Sequence, residues 1–321
     1  MTVTGRVTDA EGRPVAGRIF YHWANDNPHV REYPDLPRAR LRMSDWGVLD
    51  REGRFRLLAI PGRGAVGVCA TPEFAFPRLD TPRELDALGV RSHPVAALHA
   101  VAAVDVDATK PGTTARDFTL AVGRSRTLTV AWPAGKSAGT VLAVGQSGTA
   151  DGTPLTGGTL RLTGLSPDRA RAVVLFDEAR TVGAVAAVTG DKDTPVAVTL
   201  EKLGSVKGRV LDPTGAPAAG ARVRLWLVLD PAKFDNLPTE AFGVNGNNYF
   251  APGAWQAFTG RAVNTDREGR FEIPGLLPGQ AYRLVAGYDV EERGGEVLHQ
   301  RSGVSVKAGE RHDLGDLREK Q

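Results

Sequence analysis

Along this chain, apolar and polar residues alternate over short runs, and turn residues interrupt the runs at close intervals. Val223, Leu225 and Leu227 recur at every second position, and residues 2–7, 116–120, 126–131, 171–176, 196–200 and 205–210 read as further short strands. A period of two marks a strand with one buried face. Helical character is confined to Thr81-Pro82-Arg83-Glu84-Leu85-Asp86-Ala87-Leu88-Gly89, with Pro at the first helical position and Gly at the end. The pattern predicts an all-β chain of antiparallel sandwiches.

The pattern also repeats. Gly5-Arg6-Val7-Thr8-Asp9-Ala10-Glu11-Gly12-Arg13-Pro14-Val15-Ala16-Gly17 returns as Gly208-Arg209-Val210-Leu211-Asp212-Pro213-Thr214-Gly215-Ala216-Pro217-Ala218-Ala219-Gly220. Asp50-Arg51-Glu52-Gly53-Arg54-Phe55 returns letter for letter as Asp266-Arg267-Glu268-Gly269-Arg270-Phe271. Asp9 and Asp212 suit a turn because a carboxylate accepts from backbone N–H groups two residues on. Gly12 and Gly215 supply positive φ, and Pro14 and Pro217 fix φ as the chain leaves the turn. Asp-x-x-Gly in the second block reads as a hairpin, with Phe55 and Phe271 as core anchors of the return strand. Leu162-Thr163-Gly164-Leu165-Ser166-Pro167-Asp168 is a weaker echo between the two copies. Three modules follow, at 1–121, 122–203 and 204–321, with joints of a few residues that set them close together.

These motifs, with Leu276-Leu277-Pro278-Gly279-Gln280-Ala281-Tyr282 after the second block, resemble the carboxypeptidase regulatory-like domain family of transthyretin-like and immunoglobulin-like β-sandwiches. The last module carries the whole pattern. The first has Leu49 where the family often has Thr and an altered stretch at Ala59-Ile60-Pro61-Gly62; the middle matches only locally. The resemblance implies an extracytoplasmic accessory module joined to something else, with no catalytic residues and no particular ligand.

The copies differ in their insertions, where function usually lies on such scaffolds. Residues 24–42 carry Asn25, Asn27, Pro28, His29 and Tyr33; residues 72–95 follow later in the same module; residues 230–261 carry Asn236, Asn245, Asn247, Asn248, Tyr249, Phe250 and Trp255. Aligning Gly17 with Gly220 pairs Phe20 with Val223, His22 with Leu225 and Trp23 with Trp226. Phe20 and His22 then face the core, and Tyr21, Trp23 and Trp226 face outward. Outward aromatics beside such insertions have two readings: a satellite core under a folded-back loop, or a stacking platform for a sugar or an extended peptide. The recognition surface expected is Trp226, Tyr249, Phe250 and Trp255, ahead of Tyr21, Trp23 and Tyr33.

Composition narrows the classes. The 321 residues include 38 Gly and 21 Pro, as suits many short strands, and the net charge of +3 is scattered, without the basic run of a nucleic-acid-binding tail. Cys69 is alone, lies in an apolar run and reads as a small core residue. No stretch approaches the ~20 apolar residues of a membrane span. No signal peptide is visible before Thr2, which leaves a cytoplasmic chain or the excised part of a longer exported protein, and the second is expected.

Signatures of chemistry are few. Gly135-Lys136-Ser137 has Val130 where a phosphate-binding loop needs Gly. The histidines (His22, His29, His93, His99, His299 and His312) show no zinc-ligand spacing, Asp105-Val106-Asp107 and Asp191-Lys192-Asp193 lack the pattern of a calcium loop, and no Gly-x-Ser-x-Gly elbow is present. No cofactor or metal is expected. The sequence leads to a monomeric, non-catalytic binding or spacer module whose partner is a polysaccharide or another envelope protein. The alternatives are a carbohydrate-binding accessory region using the insertion aromatics, and an enzyme whose site is assembled only in space.

Overall fold

The computed structural model describes residues 1–32, 47–72, 75–79, 81–90, 98–109, 112–134, 140–144, 153–155, 158–229, 234, 261–288 and 296–318. Alternating runs become strands and punctuation becomes turns throughout. In the first region the strands are β1 (Thr2–Asp9), β2 (Ala16–Trp23), β3 (Gly47–Val48), β4 (Arg54–Leu58), β5 (Gly62–Thr71), β6 (Ala100–Val106), β7 (Thr113–Ala115) and β8 (Phe118–Leu120). They form one sheet in the order β4-β1-β7, with β8 also on β1, and a second in the order β3-β2-β5-β6. Val3, Val7, Phe55, Leu57, Phe118 and Leu120 of the first sheet meet Ile19, Val66, Val68, Ala102, Val104 and Val106 of the second in one buried core. That is a two-layer sandwich.

The middle region contributes β9 (Arg124–Ala131), β10 (Val141–Val144), β11 (Thr153–Pro154), β12 (Thr159–Leu165), β13 (Arg171–Asp177), β14 (Val182–Val188), β15 (Val196–Thr199) and β16 (Glu201–Lys202). Its sheets run β11-β10-β13-β14-β16 and β12-β9-β15. The last region holds β17 (Gly204–Val210), β18 (Arg222–Val228), β19 (Arg261–Asn264), β20 (Arg270–Leu276), β21 (Ala281–Tyr288), β22 (Glu296–Val304) and β23 (Arg311–Leu317), in sheets β20-β17-β23 and β19-β18-β21-β22. The Asp-x-x-Gly turns of the second block are not hairpins as expected: they carry the chain from one sheet to the other, from β3 to β4 and from β19 to β20, because each flanking strand pairs with a different partner. In both end regions the first strand pairs antiparallel with the strand after that turn and parallel with the closing strand. The chain is an all-β sandwich protein.

By compactness it divides into two units. One comprises Met1–Ser125, Leu162–Ala170 and Thr189–Asp193; the other comprises Arg126–Arg161, Arg171–Val188 and Thr194–Gln321. Within the second unit, β13 is buried along its whole length. Its Ala172, Val174 and Phe176 join the core built by Val206, Phe271, Ile273, Leu225 and Leu284. A strand buried on both faces loses the alternation of a half-exposed one, which is why residues 171–176 read as a continuous apolar run. The short joint before β17 therefore joins regions that share one core.

Helix outside the expected segment includes a 3-10 turn at Pro28–Glu32 and, among the described residues, the 3-10 residue Gly158. The expected helix, α1, spans Thr81–Ala87 and ends at Gly89 with φ +69°. Its Leu85 packs with Val90, Leu98, Phe20 and Ala65 in a satellite core. The second insertion thus folds back onto the outer face of the β2–β5 pair.

Candidate functional site

The repeated residues form one structural clasp, built twice. Arg6 Nε donates to the carbonyl of Glu52, and Arg209 Nε to that of Glu268, both at 2.9 Å. Val7 N–H donates to Gly53, and Val210 N–H to Gly269, both at 2.8 Å. A Cβ on Gly53 or Gly269 would lie 2.4 or 2.5 Å from the carbonyl oxygen of Val7 or Val210, and both glycines have positive φ. Each Asp of the repeats closes a five-residue loop. Asp9, Asp50, Asp212 and Asp266 accept through Oδ1 from the N–H groups two and four residues on, at 2.7–3.0 Å. A variant stands in the middle region: Asp177 accepts from Thr181 N at 2.6 Å and Val182 N at 2.8 Å, and Arg180 takes the glycine position with φ +51°. These bonds hold loops shut and leave the carboxylates as acceptors. The Asp50 carboxyl is held below its ordinary range, first by the Arg54 N–H, against a smaller opposing effect of burial. Asp212 is held low first by the Thr214 hydroxyl.

The inward and outward faces expected for β2 are exchanged. Leu49 N–H bonds Gly17 O, whereas Thr265 N–H bonds Ala221 O, so Gly17 corresponds to Ala221 and not to Gly220. The last region has one more residue between its turn and its strand. A one-residue slip turns every side chain to the other face. Ile19 and Tyr21 therefore face the main core, Phe20 packs in the satellite core, and His22 stands edge-on to Phe20 at 4.9 Å. Trp23 is only 8% exposed. Tyr21 donates its hydroxyl to Ile60 O at 3.2 Å, and burial, with the Asp105 charge second, pushes its phenol pKa up. Neither Tyr21 nor Trp23 offers an open stacking face.

Trp226 is half-buried on the outward side of β18, in register with Arg283. Val285, on the same outward side, is 3% exposed, so this part of the face is covered. Tyr33, Tyr249, Phe250 and Trp255 lie outside the described residues, as do His93 and Gly135-Lys136-Ser137. The Asn27 amide of the first insertion is a tether: its Nδ2 donates to Pro61 O at 2.8 Å and Arg63 O at 2.9 Å.

A second candidate is a depression of about 640 Å³ on the outer face of the β20-β17-β23 sheet. Lys207, Arg209, Arg270 and Arg311 line it together with Asp266, Glu272, Asp313 and Asp316, so its charges balance. Lys207 Nζ lies 2.9 Å from Asp313, and Arg311 pairs with Glu272 through two bonds at 2.8 and 2.5 Å. Arg311 is the first cause holding the Glu272 carboxyl low; the Gly315 N–H and then Lys207 do the same for Asp313. Carboxylates held ionised are acceptors, not proton donors near neutral pH. The corresponding positions of the first region are Thr4, Arg56, Thr113 and Ala115, which form no such pairs. Charge at every second residue, in Lys207-Gly208-Arg209, Arg270-Phe271-Glu272 and Arg311-His312-Asp313, is the sequence signal for this face.

Among the described residues no three His, Cys, Asp or Glu side chains gather as a metal site, and no helix is long and apolar enough to cross a membrane. His99 is buried and accepts from Ala70 N–H through Nδ1 at 2.9 Å. Cys69 is half-buried and is not in a disulfide.

No family model matches the chain, and no curated protein matches it. Solved structures give remote likenesses. The Bacillus anthracis TIE protein is 8% identical at TM-score 0.23, over 99% of this chain and 50% of that one. A streptococcal ancillary pilin is 11% identical at TM-score 0.24, over 99% of both chains. BcpA, the major pilin subunit of Bacillus cereus, is 9% identical at TM-score 0.23, over 99% of both. The chain spans half the length of the TIE protein. TM-scores this low do not define a common arrangement.

Proposed function

We propose that this chain is a non-catalytic binding or spacer region of an extracytoplasmic bacterial protein, made of three sandwich modules at 1–121, 122–203 and 204–321 of the carboxypeptidase regulatory-like kind. The observation that carries this reading is the clasp. The residues that recur between the modules are engaged in holding strand to turn, Arg6 to Glu52 and Arg209 to Glu268 alike, and each region places its own pair of sheets. What recurs is scaffold, and what differs is loop. Such a chain separates or presents neighbouring parts, and its partner is an envelope protein or a polysaccharide. Protease added to intact cells carrying the tagged full-length protein is expected to degrade it; full protection until the envelope is broken open would overturn the extracytoplasmic reading.

The carbohydrate reading has one observation in its favour: Trp226 points outward four residues before the segment bearing Tyr249, Phe250 and Trp255. Rings stack on sugar faces while amides bond hydroxyls. Tryptophan fluorescence titrated against a polysaccharide panel tests it. Binding that survives both Trp226→Ala and Trp255→Ala would leave the spacer reading alone.

A further inference from the structure

Edge strands expose a row of unpaired N–H and C=O groups, and folded proteins blunt them with breaks, charge or proline. Among the described residues, five end strands of sheets reach seven residues or more: β6, β12, β20, β22 and β23. Four are blunted. β12 contains Gly164 at φ +62°, β20 contains Pro274, β22 shifts register twice against β21, and β23 shifts register against β17 beside Gly315 at φ +68°. β6 has no positive-φ glycine, proline or register shift, and Asp105 is its single charge. Its sequence is Ala-Val-Ala-Ala-Val-Asp-Val, and it pairs with β5 from Gly62↔Val106 to Val68↔Ala100 without a shift.

The strand also fits itself. Ala102, Val104 and Val106 face the main core, while Ala103 and Asp105 are exposed on the other side. An antiparallel two-fold through Ala103 sets Ala102 against Val104 of a second copy, and Val106 against Ala100 of a second copy, so each core-side row places a small residue beside a larger one. Asp105, the single charge, meets Val101 of the second copy, and the two carboxylates stand four residues apart, about 14 Å.

We propose that β6 pairs antiparallel with β6 of a second copy of this chain, continuing the β3-β2-β5-β6 sheet across a two-fold axis at Ala103. One strand pair buries less than the roughly 1,200 Å² of a standard stable interface, so the dimer is weak and concentration-dependent. The monomer expected from the sequence is its dilute form.

Sedimentation of the full chain across a concentration series tests the association, and engineered cysteines test the register. Directly opposed Cα atoms of an antiparallel pair lie about 4.5–5.5 Å apart, within disulfide reach. In a Cys69→Ser background, Ala103→Cys is expected to give a disulfide-linked dimer under mild oxidation, and Asp105→Cys is not. Ala103→Lys places two like charges opposite each other and is expected to weaken dimerisation several-fold with an unchanged circular dichroism spectrum. If Ala103→Lys fails to fold, the cysteine pair still decides. A parent chain that stays monomeric up to about 1 mM, or cross-linking that is equal at the two positions, overturns the proposal.

Discussion

The ring of Tyr21 stands over Gly64, so closely that a Cβ on Gly64 would lie 2.6 Å from it. Gly64 pairs with Trp23 in β2, and Tyr282 pairs with Leu227 in β18, so Gly64 occupies the position that Tyr282 holds in the last region. There the Tyr282 hydroxyl accepts from Leu277 N–H at 2.7 Å and ties down the turn before β21. In the first region Tyr21 reaches the corresponding turn from β2 and bonds Ile60 O instead. The altered stretch after Phe55 therefore has its missing tyrosine supplied by another strand. Tyr21→Phe should cost about 1 kcal/mol, the worth of one hydrogen bond, and Tyr21→Ala about 3–5 kcal/mol, measured by urea unfolding. A neutral Tyr21→Ala would show that the ring does not fill the core.

The glycine of each Gly-Arg-Val motif faces an aromatic ring. Gly5 lies across from Phe55, and Gly208 from Phe271. A Cβ on Gly5 would lie 1.8 Å from Arg116 O and 2.9 Å from the Phe55 ring, whereas on Gly208 the closest approaches are 3.1 Å. Gly5→Ala is expected to destabilise by about 3 kcal/mol and Gly208→Ala by about 1 kcal/mol. Equal effects in thermal unfolding would contradict the difference in packing.

Phe55 and Phe271 are equivalent buried anchors, each 6% exposed. Truncating either to Ala removes a ring from a closed core and should cost about 3–5 kcal/mol. A loss under about 1 kcal/mol at either position would place that ring outside the core.

The turn aspartates should not be equal. Asp177 is buried and accepts from two backbone N–H groups and the Thr181 hydroxyl. Asp50 makes similar backbone bonds in solvent. Asp177→Ala should cost about 3 kcal/mol and Asp50→Ala about 1 kcal/mol, because buried donors left without an acceptor bear the full desolvation penalty. Denaturant titration of the two variants checks the ranking.

Acid should loosen the clasp and the charged face together. Asp50, Asp212 and Glu272 have folded pKa values below their ordinary ones, through the Arg54 N–H, the Thr214 hydroxyl and the Arg311 guanidinium respectively. A lowered folded value means that the unfolded chain takes up protons first. The stability they contribute is complete above the unfolded carboxylate range, about pH 4, and is lost as pH falls through the folded values. Tm should hold between pH 6 and 5 and fall below about 4. Glu272→Gln should lower Tm near neutrality and flatten the fall; an unchanged acid limb would remove Glu272 from the account.

Much of the fold was legible in the sequence because its signals are local. Period-two runs, Asp-x-x-Gly turns, the Pro-to-Gly frame of α1 and two copies of one motif each act within a few residues; the turns and α1 form where expected, but the second-block turns join strands of two sheets and not of one hairpin. The facing of β2 was not legible. It depended on one additional residue before β18, and only the cross-strand bonds of Leu49 to Gly17 and Thr265 to Ala221 reveal it. That slip moved Tyr21 from the recognition surface into the core. The exchange of Tyr21 for Tyr282, the share of β13 in the core of the last region and the pairing of Lys207 with Asp313 and Glu272 with Arg311 join residues far apart in sequence. Sequence alone determined which residues alternate and where the chain turns. Which strand lies beside which, and therefore which side chain meets which, was decided by burial of both sheets around common cores, a property of the folded chain as a whole.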